Sequence, residues 1–329
     1  MLKNKKASKN AWVKRLTTII FIMLIIMSSR FTELNNMIDN KKNIENGQAT
    51  IHNQQLNIDE QLPNKTDDKV RDINNEEGQL EVRAKAGNPV YKVMTEKYES
   101  TIEINKNSFD ASKIQDLLTK HIKIEDGKKI AFLTFDDGPS TTVTPEILKV
   151  LKDNNIKATF FVIGKQVEDT PEAKRILQDI YHQGHAIGNH TYSHNYSKLF
   201  PKGRADANAF MAEVEKTDQI LKSVLGEDFT TDIVRFPGGH CSWKGTEDLD
   251  KQLADKNYKY IDWNALVGDA EGGPKTREQL IKRYHQTFVG QQQVVLLMHD
   301  TYGKKSTAEA LQYIITDLKN KGYEFRTIR

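Results

Sequence analysis

From residue 128 onward the chain alternates short apolar runs with segments of helical spacing, and this alternation limits its fold more than any other feature. Strand-like runs fall at residues 129–135, 158–163, 185–188, 233–236, 260–263, 294–298 and 323–328. Helical spacing marks 144–154, 172–183, 205–225, 247–256, 276–288 and 307–321. Pro145 suits a first helical turn, and Gly184 and Gly226 suit helix ends. Strands that are apolar on both faces, separated by helices, predict a parallel α/β sheet covered by helices. About seven such units in roughly 200 residues suit a closed or nearly closed barrel. An open doubly wound sheet is the alternative.

Several of these runs end in groups that can do chemistry. Asp136 and Asp137 follow the apolar run Ile130-Ala131-Phe132-Leu133 within Thr134-Phe135-Asp136-Asp137-Gly138-Pro139. His190 and His194 lie in His190-Thr191-Tyr192-Ser193-His194, and His299 closes Val294-Val295-Leu296-Leu297-Met298-His299-Asp300. Alone, Asp-Asp-Gly-Pro reads as a turn after a strand, and two histidines four residues apart are often coincidental. Together they sit at or just beyond predicted strand ends, where parallel α/β sheets gather their active sites. A carboxylate with two imidazoles is a ligand set for a divalent metal with open positions. A spare carboxylate and a spare histidine then remain as base and acid, which points to metal-assisted hydrolysis.

The formal net charge of +3 is misleading, because the first fifteen residues carry six cations and no acid, leaving the remainder at −3. No basic groove for nucleic acid is implied. The basic segment 1–15 is followed by an uncharged, apolar stretch at 16–29. As a helix this reaches roughly 21 Å against a hydrocarbon core of roughly 30 Å, a length typical of a signal-peptide core. No Ala-x-Ala site follows, and Arg30 comes at once, which favours an uncleaved anchor over cleavage and secretion. Either way the basic side stays inside and the rest is exported. Residues 30–89, without an aromatic from Thr32 to Pro89, read as a polar, largely disordered stalk. Residues 90–127 read as a small accessory or transitional region, where Asp110 can cap a helix with Ile114, Leu117 and Leu118 on its apolar face. The catalytic domain is 128–329. Cys241, the lone cysteine, rules out an intramolecular disulfide and is expected to be small and buried or half-buried.

The ordered segments Thr134-Phe135-Asp136-Asp137-Gly138-Pro139, His190-Thr191-Tyr192-Ser193-His194, Arg235-Phe236-Pro237-Gly238-Gly239, Asp262-Trp263 with Asp269, and Leu296-Leu297-Met298-His299-Asp300 resemble the five motifs of the polysaccharide deacetylases, carbohydrate esterase family four. The resemblance covers roughly residues 128–329. It implies a distorted (β/α) barrel that removes N-acetyl, sometimes O-acetyl, groups from a glycan using one divalent metal. By the same resemblance Asp137, His190 and His194 match the metal ligands, Asp136 the general base, and His299 the general acid. Arg235 matches the residue that holds the base, and Asp269 the one that orients the acid. Gly238, directly after Pro237, matches the backbone N–H donor for the oxyanion, and Leu297 matches a pocket-lining aliphatic residue; Trp263 reads as core or groove wall because tryptophan usually serves burial. Adjacent residues at a strand end diverge, so one carboxylate can bind metal while the other faces substrate. Ala270 stands where many relatives carry a pocket-walling tryptophan, which leaves acyl and sugar specificity open.

The function expected is therefore N-deacetylation of N-acetylhexosamine in a bacterial cell-wall glycan, either peptidoglycan or a wall-attached polysaccharide. The alternatives are an O-acetyl (xylan-type) esterase, or a catalytically silent glycan-binding wall protein. Zn²⁺ is favoured by two imidazoles and a carboxylate, with Co²⁺, Mn²⁺ or Ni²⁺ able to serve. The expected partners are the glycan and, through the N-terminal segment, the membrane; no obligate protein partner is implied. Single-pass attachment with the catalytic domain outside is the expected location.

Overall fold

The strands carry the inward and outward parity that builds both the core and the site. In a computed structural model, which describes residues 107–124 and 127–329, the elements run β1 (Ser108–Phe109), α1 (Ala111–Thr119), β2 (Ile130–Gly138), α2 (Thr144–Asp153), β3 (Thr159–Val162), α3 (Gly164–Asp169), α4 (Pro171–His182) and β4 (Ala186–Asn189). They continue as α5 (Tyr196–Leu199), α6 (Ala207–Leu225), β5 (Ile233–Val234), α7 (Glu247–Asp255), β6 (Lys259–Tyr260), β7 (Ala265–Leu266), α8 (Arg277–Thr287), β8 (Gln293–His299), α9 (Lys305–Asn320), β9 (Glu324–Phe325) and β10 (Thr327–Ile328).

Seven strands form a curled parallel sheet in the order β6-β5-β4-β3-β2-β8-β7, with β9 added beside β2. Each strand lies beside its sequence neighbour, and β2 pairs with β8, the order of a (β/α) barrel. Among the described residues no ladder joins β6 to β7, so the barrel stays open there. An open doubly wound sheet is not formed.

Side chains alternate along each strand. Ala131, Leu133 and Phe135 of β2 face outward and pack with Ile147 and Leu151 of α2, Ile176 and Leu177 of α4, and Leu311 and Ile315 of α9. Ile130 and Phe132 face inward with Phe161, Ile233, Ile261 and Val295. Burying each such side chain contributes roughly 1.5–3 kcal/mol. Continuing by twos toward the C-terminal strand ends, the inner face carries Thr134 and Asp136 after Phe132, Arg235 after Ile233, Trp263 after Ile261, and Leu297 and His299 after Val295. The interior is thus apolar at one end and polar at the other.

The apolar end is plugged by α1, whose N-cap Asp110 accepts the Ser112 N–H at 2.8 Å. Ala111 and Ile114 join the inner cluster, as does Ile328, while β1 pairs with β10 in parallel. The run expected as one terminal strand at 323–328 divides at Arg326, because β9 pairs with β2 whereas β10 pairs with β1. The seventh barrel strand is instead Ala265–Leu266, two residues long and separated from β6 by no helix, so its signal was hidden. Cys241 is exposed rather than buried: Gly238 and Gly239 (φ 78° and 83°) turn the chain into a surface 3-10 turn. The expected segments 1–15, 16–29 and 30–89, and residues 90–106, lie outside the described residues. No described helix is long and apolar enough to cross a membrane.

Gly188 of β4 shows how tightly the interior closes, since a Cβ there would lie 2.5 Å from the Phe161 ring and 3.1 Å from Ile233. Gly188→Ala is expected to destabilise the fold by about 1–3 kcal/mol through overpacking, measured from the urea midpoint. Combined with Phe161→Leu, the loss should fall short of the sum of the single losses. Additive losses would show that the ring is not the obstacle.

Candidate active site

β2 delivers two carboxylates through an irregularity at its end. Asp136 pairs with Phe161 of β3 and Gly138 with Val162, so the ladder skips Asp137, whose φ is 70°. A bulge of this kind re-aims a side chain. The two carboxylates consequently diverge less than plain alternation predicts: Asp136 Oδ2 lies 3.7 Å and Asp137 Oδ1 3.3 Å from the same nitrogen, His190 Nε2.

Arg235 is fully buried at the centre of the interior. Its Nη1 donates to Asp136 Oδ1 and to Thr134 Oγ1, both at 2.8 Å, its Nε to the Ile261 carbonyl at 2.7 Å and its Nη2 to the Asp262 carbonyl at 3.1 Å. The guanidinium also lies 4.1 Å from the Phe161 ring centre and 5.7 Å from that of Trp263. Only arginine supplies a planar fork of this reach with permanent charge. Asp136 Oδ1 is thereby committed, and Oδ2 faces the histidines.

Asp137 Oδ1 lies 3.3 Å from both His190 Nε2 and His194 Nε2. His190 Nδ1 is 2.8 Å from the Arg235 carbonyl, which can only accept, so Nδ1 carries the proton and Nε2 of the neutral ring presents a lone pair. Asp137 Oδ1 is buried and receives no hydrogen bond. Acceptors converging in this way fit a cation, and their ligand atoms all lie within 4.8 Å of one another. These three side chains can hold a metal ion. Burial and then the neighbouring His190 push His194 down to about 4, keeping its lone pair available at neutral pH. Burial opposes ionisation of Asp137, but His190, and then His194 and His299, hold its carboxyl below the usual range. Burial likewise opposes charge on His190, yet Asp136 and then Asp137 draw it up, so a proton competes with a metal here.

On the other side of β2, Asp136 is in register with His299 of β8. Asp269, in the loop after β7, takes both His299 Nδ1 at 2.8 Å and the His299 N–H at 2.9 Å, and accepts from Thr307 Oγ1 at 2.8 Å. Burial lowers the tendency of His299 to charge, but Asp269 outweighs it and the ring is raised to about 9. Beneath this pair Asp300 is buried; its Oδ2 accepts from Thr144 Oγ1 at 2.6 Å, and burial pushes the carboxyl up to about 7. It occupies the space a Cβ on Gly138 would need, so a larger residue at 138 would force the Asp300 carboxylate to move.

Pro237 is buried and its carbonyl accepts from Trp243 Nε1 at 2.8 Å. Gly238 is exposed, and its N–H has no partner among the described residues. Trp263 is half-buried against Gly239, and Leu297 is 8% exposed on the inner face of β8. All eleven residues singled out in the sequence therefore line the C-terminal end of the barrel. Sequence reasoning overlooked Asn189, Tyr196 and Glu213, which hold or flank the histidine loop; a glutamate within the apolar stripe of α6 was the available signal. Of the other histidines, His185 is buried and accepts the Ala158 N–H at Nδ1, His240 pairs with Asp250 at 2.8 Å, and His285 meets the Tyr313 hydroxyl at 3.0 Å.

Comparison with known proteins fits this geometry. A family model described as polysaccharide deacetylase matches residues 123–261. A peptidoglycan-N-acetylglucosamine deacetylase of Bacillus cereus is 34% identical over 200 residues, covering 60% of this chain and 66% of that protein. The peptidoglycan-N-acetylmuramic acid deacetylase PdaA of Bacillus subtilis is 30% identical over 204 residues, covering 61% of this chain and 70% of its own length. The match thus spans about two thirds of these relatives. Among solved structures, a CE4 esterase of Streptococcus mutans superposes with a TM-score of 0.63 at 36% identity, covering 69% of this chain and 94% of that one. With the fold, the ordered motifs and these relatives in agreement, the chain belongs to the polysaccharide deacetylase family.

Proposed function

We propose that this chain is a metal-dependent hydrolase that removes N-acetyl groups from N-acetylhexosamine residues of a bacterial cell-wall glycan. The observation that carries the reading is the buried Asp137 Oδ1, facing the Nε2 atoms of His190 and His194 at 3.3 Å with no donor of its own. Asp137, His190 and His194 would hold one divalent ion, Zn²⁺ by the donor set, with Co²⁺, Mn²⁺ or Ni²⁺ as substitutes. Such an ion, when bound, polarises the amide carbonyl and lowers the pKa of a water molecule. The peptidoglycan deacetylases among the relatives support the substrate class. The basic segment and apolar stretch at 1–29 support a domain held outside the cell membrane.

The remaining work falls to this chain's own groups. Asp136, oriented through Oδ1 by Arg235, accepts a proton from the attacking water at Oδ2. The water oxygen bonds to the acetyl carbon, and the exposed Gly238 N–H donates to the oxygen that becomes negative. His299, with Nδ1 held by Asp269, gives its Nε2 proton to the amide nitrogen as the C–N bond breaks. Acetic acid and a free sugar amine leave. Pro237, Leu297 and Trp263 wall the space around the acetyl group. An O-acetyl esterase is the second reading, favoured by the Streptococcus mutans neighbour described as an esterase.

Incubated with isolated wall material, the full chain should release acetate and leave sugars lighter by about 42 mass units, the acetyl-for-hydrogen difference of this hydrolysis. Chelation should abolish release and added Zn²⁺ restore it. Asp136→Asn should lower the rate by about 10²–10⁴-fold. Release confined to O-acetylated glycans would establish the esterase, and an unaffected Asp136→Asn would establish neither hydrolase.

The His299 pair also sets a pH dependence. His299 is charged below about 9 and loses its proton above it, so the acid is loaded at neutral pH and activity should decline as pH rises through that value. Without the Asp269 anion the imidazolium loses its main support. Asp269→Asn should therefore move the alkaline limb of the rate profile to lower pH, and an unmoved limb would remove His299 from the acid role.

A further inference from the structure

The loop that carries His194 is bent into a shape its residues do not favour. Thr191 and His194 both have left-handed backbones, φ 63° and 52°, and neither is glycine. Such conformations persist only where surrounding groups hold them. One anchor comes from Asn189, whose Oδ1 accepts the Thr191 N–H at 2.9 Å, while its Nδ2 donates at 2.9 Å to the Val214 carbonyl and Asp218 Oδ1 of α6. The second lies between the two left-handed residues: the Ser193 N–H donates to Glu213 Oε2 at 2.9 Å, and its hydroxyl to Oε1 at 2.7 Å.

Glu213 is out of place as a helix residue. It is 2% exposed, on the buried stripe of α6 with Phe210, Met211, Val214 and Leu221. A buried carboxylate is costly unless its oxygens are satisfied. Its hydrogen-bonded and ion-paired partners all come from one short stretch, Ser193 and the Lys198 ammonium, 2.8 Å from Oε1. Burial would raise the carboxyl, but Lys198 and Ser193 hold it below the usual range. An apolar residue would serve the packing of α6 at least as well, so the charge acts on the loop.

We infer that Glu213 is a positioning residue for the candidate metal site: by holding Ser193 it fixes the left-handed turn that aims His194 at Asp137. His190 is held separately, by its N–H to the Val162 carbonyl and its Nδ1 to the Arg235 carbonyl. The weight of Glu213 thus falls on the His194 arm. This inference rests on the reading of Asp137, His190 and His194 as ligands of one ion.

Zn²⁺ affinity of the full chain, measured by competition with a chromophoric chelator, separates positioning from plain stabilisation. Glu213→Ala should weaken binding by about ten- to a hundred-fold, the usual effect of removing a group that orients a ligand. Glu213→Gln, whose amide oxygen can still accept the Ser193 N–H, should lose less. Ile314→Val in the outer core, which lowers stability without touching the loop, should bind like the parent. Loaded with Co²⁺, Glu213→Ala should show a shifted visible absorption band, reporting a displaced ligand. Should Glu213→Ala fail to fold, Glu213→Gln and Ser193→Ala carry the test, each with a smaller measurable loss. Variants that bind Zn²⁺ as tightly as the parent would overturn the inference and leave the metal reading intact. A parent that binds no metal would overturn that reading, and this inference with it.

Discussion

The buried ion pair of Arg235 and Asp136 is the contact around which the rest of the barrel interior is arranged. A guanidinium taken fully out of water is tolerated only if its hydrogen-bonding capacity is largely met. Thr134, Asp136, Ile261 and Asp262 accept four of its five N–H groups, and the Phe161 and Trp263 rings face it. These acceptors come from β2 and from the end of the β6 strand path, strands far apart in the sheet order. The pair therefore ties the two sides of the curl across the interior. It also fixes one oxygen of Asp136, without which two adjacent carboxylates would be free to exchange roles.

Two networks meet at β2 from opposite directions. On the β4 side, imidazoles are braced by the Arg235 carbonyl and by α6 and have their lone pairs turned toward Asp137. On the β8 side, the Asp269 anion draws a proton onto His299. His194 is thus kept neutral and His299 is drawn to its charged form. Surroundings make the difference: burial and the neighbouring His190 hold His194 down, while Asp269 contacts His299 directly at 2.8 Å. Opposite protonation states side by side are what paired acid–base catalysis uses.

Much of this was legible in the chain. Apolar runs on both faces imply a covered parallel sheet, and Pro145, Gly184 and Gly226 punctuate the helices where expected. The acid and histidine motifs sit at strand ends because parallel sheets expose those ends together. Other parts left no periodic trace. A two-residue strand such as Ala265–Leu266 is too short for any period to register. Arg326 reads as part of a single strand until β2 and β1 claim its two sides separately. The exposure of Cys241 depends on the positive φ of Gly238 and Gly239, which sequence permits but does not require.

The amino-acid sequence by itself determined the alternating architecture, the inventory of reactive groups and their family, because hydrophobic period and residue type are local properties of the chain. Tertiary structure alone decided which oxygen of Asp136 is committed, how the bulge at Asp137 brings both carboxylates to one imidazole, and that a glutamate on α6 braces the histidine loop. Those outcomes depend on distances of a few ångströms between residues tens of positions apart, and such distances are set by packing and by the need to satisfy every buried charge.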